Sequence, residues 1–323
     1  GELYYPEATS DKDSLPAVIV CHGGGCDYGV FRGLAQELAR RGFVVFNVSA
    51  YGSGLSEQPM YDESGEGING VSGRGTAAHG VWDAIDFVRG LEFVDSTRIG
   101  VTGHSAGARR ANYAVDLDCG RLSYNDQMIN ILCDTFGQEF TREEIDMDAD
   151  ALAEERLTAE QMEYYRYLSE ETHEKVDNSV FALFCLGMKE YKLLTREEAT
   201  VGGYQVMRNG QVNIGYNIGQ WDSYCNLITD DVAKDSWFTN GETINVDQWY
   251  VIDDAAESST QIGAWPDENV YASQEFKDAL ASRTLRMITE PPETHSKNFY
   301  SNTTNANTCE FFTAVFNYNR GEL

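Results

Sequence analysis

Ser105 lies in Gly103-His104-Ser105-Ala106-Gly107, directly after the apolar run RIGVTG and directly before the alanine-rich AGARRANYAV. A turn needs one glycine at most. Two of them bracketing a serine indicate that something passes very close to the backbone on both sides of Ser105. A serine hydroxyl is a poor nucleophile unaided, so chemistry at Ser105 needs a base. The chain offers five histidines for that role: His22, His79, His104, His173 and His295. A second glycine cluster, His22-Gly23-Gly24-Gly25-Cys26, also follows an apolar run. The histidines are too dispersed for a zinc site, and the seven cysteines include no CxxC pair. Nothing resembles a dinucleotide or phosphate loop, so no cofactor is expected.

Both glycine clusters need elements to hold them. PAVIVCHGGG (16–25) reads as a buried strand running into glycines, FVVFNVSA (43–50) as a second, and RIGVTG (98–103) as a third. Between them, Phe31, Leu34, Ala35 and Leu38 recur at helical spacing up to Gly42, and Val81, Ile85 and Val88 form another stripe closed by Gly90. Strand and helix alternation predicts a parallel sheet covered on both faces, with its site at the carboxyl ends of the strands, where both clusters fall. Later candidate strands are 211–222, 248–254 and 284–295, the last ending in a proline-rich loop with His295 at its tip. VFALFCLGM (180–188) and MINILCDTF (128–136) compete to continue the sheet after the third strand. The tail carries Phe311, Phe312, Val315 and Phe316 in a helix expected to pack back on the sheet.

From about 117 to 177 the character changes. Residues 141–177 hold thirteen acidic and four basic side chains, with Thr141 and Thr158 as expected helix N-caps. This reads as a helical cap inserted into a core made of 1–116 and 178–323. Tyr164, Tyr165 and Tyr167 fit helical packing better than a pocket lining.

The net charge of −28 makes nucleic acid and anionic membranes poor partners. An odd cysteine count argues against a disulfide framework, and Cys21 reads as a small core residue. No apolar run is long enough to span a membrane, and no signal peptide is evident in these residues. The chain begins almost on a strand, at GELYYPEA, as expected where the natural N-terminus lies further upstream.

The order of HGGG, a G-x-S-x-G turn between strand and helix, an acid after a later strand and a late histidine resembles the α/β-hydrolase superfamily. The resemblance covers nearly the whole chain outside the insertion. More weakly, the spacing from GQWD to ETHSKNFYS and the terminal amphipathic helix are similar to bacterial esterase- or lipase-like hydrolases of membrane-tethered chains. The resemblance implies an α/β-hydrolase fold and a serine hydrolase acting on carboxylic esters of small molecules through an acyl-enzyme. It makes Ser105 the nucleophile and His295 the base. It places the oxyanion hole at the amide of Ala106 with that of Gly24, Gly25 or Cys26, Gly24 being favoured. The acid is Asp222, after an apolar strand and a glycine turn, or its rival Asp253. The interval from 222 to 295 is longer than the family's usual one and implies an extra excursion over 226–280. Two other functions fit the same pattern: an amide or peptide hydrolase, and a binding protein that retains the fold without catalysis. The location implied is cytoplasmic, or extracytoplasmic on a tethered chain. Oligomeric state and acyl or alcohol preference are not encoded in these motifs.

Overall fold

The structure is a computed structural model that describes residues 1–6, 14–56, 73–119, 122–188, 196–209, 211–224, 245–253 and 258–317. At its centre is a nine-stranded sheet. In chain order its strands are β1 (Glu2–Tyr4), β2 (Leu15–Cys21), β3 (Val44–Val48), β4 (Val94–His104) and β5 (Ala182–Leu186). A separate hairpin, β6 (Arg196–Val201) and β7 (Tyr204–Asn209), follows. The sheet then continues with β8 (Asn213–Asn217), β9 (Gln248–Asp253), β10 (Ser258–Ala264) and β11 (Leu285–Thr289). Across the sheet the order is β1-β3-β2-β4-β5-β8-β11-β9-β10. The six strands from β3 to β11 run parallel, and β1, β9 and β10 add antiparallel edges.

The parallel strands are buried along nearly their whole length, which is why β2 and β5 read as unbroken apolar runs rather than alternating ones. Helices α2 (Gly73–Arg89) and α3 (Ala106–Cys119) cover one face through Val81, Ile85, Val88, Ala111 and Val115. Helix α1 (Arg32–Arg40) covers the other face. Mostly parallel strands between two helical layers, with a serine turn after β4 inside the parallel part of the sheet, make this an α/β-hydrolase fold.

Residues 180–188 continue the sheet as β5, whereas 128–136 falls in helix α4 (Tyr124–Asp134). Periodicity alone does not separate a buried strand from one face of a helix. Two more helices follow, α5 (Ala149–Arg156) and α6 (Ala159–Asp177). Thr158 does cap α6, sharing a capping box with Gln161. Thr141 starts no helix: only a short 3-10 turn follows at Glu144–Asp146, and Asp148 is the N-cap of α5. Met128, Ile129, Leu132, Ile145, Leu152 and Tyr165 form a third core with Val201 and Val206 of the β6–β7 hairpin. That hairpin lies outside the expected 117–177 insertion but shares its core, and Arg208 ties it down by bonding both oxygens of Asp126. Of the three tyrosines, Tyr165 is buried, while Tyr164 and Tyr167 stack on each other at the surface.

The excursion before His295 adds β9, β10 and two short helices, α7 (Glu268–Ala272) and α8 (Gln274–Ala281); of the expected 226–280, residues 226–244 and 254–257 lie outside the described ones. The C-terminal helix α9 (Asn302–Phe316) packs on the same face as α1 and α8. Phe311 stacks on Phe184 of β5 with ring centroids 4.8 Å apart. Among the described residues, no helix is long and apolar enough to cross a membrane.

Candidate active site

Five loops leave the carboxyl edge of the parallel strands side by side. They are the glycine loop after β2, the serine turn after β4, Gly187 after β5, the Gly219–Asp222 turn after β8 and the histidine loop after β11. Adjacent parallel strands thus bring together residues that are up to 273 positions apart, between His22 and His295.

Ser105 has φ 54°, in the left-handed region, at a cost on the order of 1–3 kcal/mol for a residue with a side chain. Its surroundings hold it there. Its amide donates to the Leu186 carbonyl at 2.9 Å, and its carbonyl accepts the Arg109 amide at 3.1 Å, opening α3. The bracketing glycines answer the close approach read from the sequence. A Cβ on Gly103 would lie 2.6 Å from the Gly107 backbone, and one on Gly107 would lie 2.3 Å from the His22 carbonyl oxygen. The second contact presses the glycine loop against the start of α3. Gly24 is next to the turn as well: a Cβ there would lie 3.6 Å from that of Ala106. Ala106 is the first residue of α3, so its amide is among those with no partner inside the helix.

His295 Nδ1 lies 2.7 Å from Asp222 Oδ2, with the Asp222 side chain fully buried and that of His295 15% exposed. Asp222 Oδ1 accepts the Tyr224 amide at 2.8 Å, and the Tyr224 ring packs 4.8 Å from the imidazole. A carboxylate accepting at Nδ1 puts the imidazole proton there and leaves the Nε2 lone pair available in the neutral ring. Two backbone bonds lace the acid turn to the histidine loop: Gln220 N to Pro291 O at 2.8 Å and Trp221 N to Glu293 O at 2.9 Å. Asp253 is not near this pair. Because β9 runs antiparallel to β11, Val251 pairs with Leu285 and Asp253 projects past the opposite, amino-terminal edge of the sheet.

The remaining histidines have other surroundings. His22 is buried; its Nδ1 donates to the Gly23 carbonyl at 2.7 Å while Nε2 accepts the Ala50 amide at 3.1 Å, and burial lowers its pKa. His104 Nε2 donates to the His295 carbonyl at 2.9 Å. Burial first, and then the His295 imidazole, hold His104 down to about 4. His173 is exposed on α6 and stacks on Tyr124. His79 belongs to α2, but its side chain lies outside the described residues.

Sequence reading missed Gly187. Its φ is +53°, and a Cβ there would lie 3.0, 3.1 and 3.2 Å from His104 Nε2, His295 Nδ1 and Asn298 Nδ2. The only signal was a glycine at a strand end. Among the described residues no group of three or more His, Cys, Asp or Glu could hold a metal ion. Cys21, Cys26, Cys133, Cys185 and Cys309 are free, and burial pushes the Cys21 and Cys185 thiols up to about 11 and about 12.

No family model matches the chain, and no curated protein matches it in sequence. Among solved structures it overlaps esterase 2 of Thermogutta terrifontis. The apo form gives a TM-score of 0.46 at 11% identity, covering 99% of this chain and 90% of that one. The cyclosarin-phosphonylated form gives 0.46 at 10%, covering 99% and 89%. The propionate-bound form gives 0.46 at 11%, covering 99% and 90%. The fold assignment rests on strand order and the serine turn, not on these overlaps.

Proposed function

We propose that the protein is a serine hydrolase that cleaves carboxylic esters of small molecules through an acyl-enzyme. Ser105 is the nucleophile, His295 the base and acid, and Asp222 the residue that orients the imidazole and stabilises its cation. The observation that carries this reading is the 2.7 Å contact between His295 Nδ1 and Asp222 on the same sheet edge as the left-handed Ser105 turn. His295 Nε2 takes the Ser105 proton as Oγ attacks the ester carbonyl carbon. The resulting oxyanion is held by the amides of Ala106 and Gly24, with the positive end of the α3 dipole behind Ala106. Collapse expels the alcohol, which takes the proton from His295. Water, deprotonated by His295, then attacks the acyl-serine, and a second collapse releases the acid and restores Ser105. The segment from about 117 to 177 is proposed to be a helical cap on the hydrolase core; its two ends meet at the amino-terminal edge of the sheet, where Asp118 accepts the Val180 amide.

The test is hydrolysis of a short-chain p-nitrophenyl ester. Ser105→Ala is expected to lower kcat by roughly 10⁴- to 10⁶-fold, with the thermal midpoint nearly unchanged. Activity surviving within about tenfold in a folded variant contradicts the assignment of the nucleophile.

A further inference from the structure

Glu293 is only 2% exposed and stands two residues before His295. Its carboxylate accepts two hydroxyls from the start of α9: Ser301 Oγ on Oε1, and Thr304 Oγ1 on Oε2 at 2.8 Å. The Ser301 hydroxyl is committed to donating, and the Thr304 hydroxyl has Glu293 as its nearer acceptor, Asn298 Oδ1 being 3.3 Å away. Ser301 Oγ already accepts the amides of Thr303 and Thr304 at 3.1 and 3.3 Å, and Thr304 Oγ1 accepts Asn217 Nδ2 at 3.2 Å. A buried carboxylate is costly unless it is paired or hydrogen-bonded. Here two O–H donors and the positive end of a fifteen-residue helix supply the compensation.

The main chain of the same residue is tied in the other direction. The Glu293 carbonyl accepts the amide of Trp221, the neighbour of Asp222, and a Cβ on Gly219 would lie 2.3 Å from that oxygen. Asn217 closes the circuit: its carbonyl accepts the Gly187 amide at 2.9 Å, and its side-chain oxygen accepts Asn307 Nδ2 at 2.8 Å. Residue 293 therefore joins the acid turn, the histidine loop and the C-terminal helix. Pro291 and Pro292 stiffen the loop between β11 and His295, so a displacement at 293 passes along to the imidazole.

Building on the serine-hydrolase reading above, we infer that Glu293 is a positioning residue: through its double anchor on Ser301 and Thr304 it fixes His295 in register with Asp222 and Ser105. Misplacing a catalytic group by ~1 Å can cost about 10²-fold in rate. Glu293→Gln keeps the size of the side chain but leaves a single oxygen to accept and turns an NH₂ toward the other hydroxyl, so at most one of the two anchors keeps its native direction.

The test measures, per folded molecule, the labelling rate of Ser105 by a fluorophosphonate probe and the kinetics of p-nitrophenyl acetate hydrolysis. Glu293→Gln is expected to slow labelling and lower kcat by about 10- to 100-fold, with KM within about twofold of wild type. The NMR signal of the His295 Nδ1 proton is expected to shift or broaden. Thr304→Val, which removes one anchor and leaves the carboxylate, is expected to act in the same direction more weakly, and it decides the matter if Glu293→Gln does not fold. Folded variants that are labelled and turn over like wild type, even with a lowered melting temperature, overturn the inference and leave the serine-hydrolase reading standing. A wild-type protein that the probe does not label overturns both.

Discussion

Asp222 and Asp253 are both aspartates after apolar strands, and what separates them is strand direction. Asp222 follows a parallel strand and arrives at His295; Asp253 ends an antiparallel strand on the other edge of the sheet. Asp222→Asn is expected to lower kcat/KM by roughly 10⁴-fold, and Asp253→Asn by less than about threefold. Both are to be measured on protein shown to be folded by circular dichroism. The reverse ranking contradicts the proposed triad. His104 gives a second prediction at this scale. Its folded pKa of about 4 lies below the ordinary imidazole value of about 6.5 in the unfolded chain. The unfolded state therefore takes up the proton first as pH falls. The contribution is fully present above about pH 6.5, is lost progressively down to about pH 4, and amounts to roughly 3 kcal/mol over that window. Urea unfolding of wild type and His104→Gln at a series of pH values should show a shallower loss for the variant. Parallel curves contradict the burial account.

At the scale of elements, the serine turn works because two backbones nearly touch. A Cβ on Gly107 would meet the Cys21 and His22 carbonyl oxygens at 2.5 and 2.3 Å. Neither is the movable end of a side chain. Gly107→Ala should force the glycine loop away from α3, destabilise the fold by about 1–3 kcal/mol or more and lower activity through the loss of Gly24 beside Ala106. A variant with unchanged melting temperature and activity contradicts this packing. Much of the arrangement was legible in the sequence. The glycines around Ser105, the apolar runs of β2 and β3 and the aromatic tail helix all state local requirements that their neighbours satisfy. The β6–β7 hairpin was passed over although Gly202-Gly203 sits at its turn, because its flanking residues are charged and its apolar positions serve only the third core. Glu293 was invisible for a different reason. In the loop EPPETH it reads as a solvated charge, and only the packing of α9 buries it.

At the scale of the whole molecule, 52 acidic against 24 basic side chains set up self-repulsion that the fold must overcome. Several of the cations are committed to local pairs, such as Arg208 with Asp126 and Asp146, and Arg89 with Asp86 and Asp118. Screening should therefore relieve more repulsion than the attraction it weakens. The melting temperature is expected to rise as sodium chloride is increased from roughly 0.01 to 0.15 M, over which the Debye length falls from about 30 to about 8 Å. A fall would mean that the ion pairs outweigh the net charge. The same field disfavours anionic substrates, in keeping with neutral esters at the proposed site.

The central claim is that Ser105 is an activated nucleophile, and an alkyl fluorophosphonate tests it most directly. Attack by Oγ on phosphorus forms a serine phosphonate and expels fluoride. Peptide mapping by mass spectrometry should find the adduct on the peptide containing Ser105, with stoichiometry near one per chain. It should be absent in Ser105→Ala and strongly slowed in His295→Asn. No adduct on the native protein, or an adduct on another residue that persists in Ser105→Ala, would contradict the account.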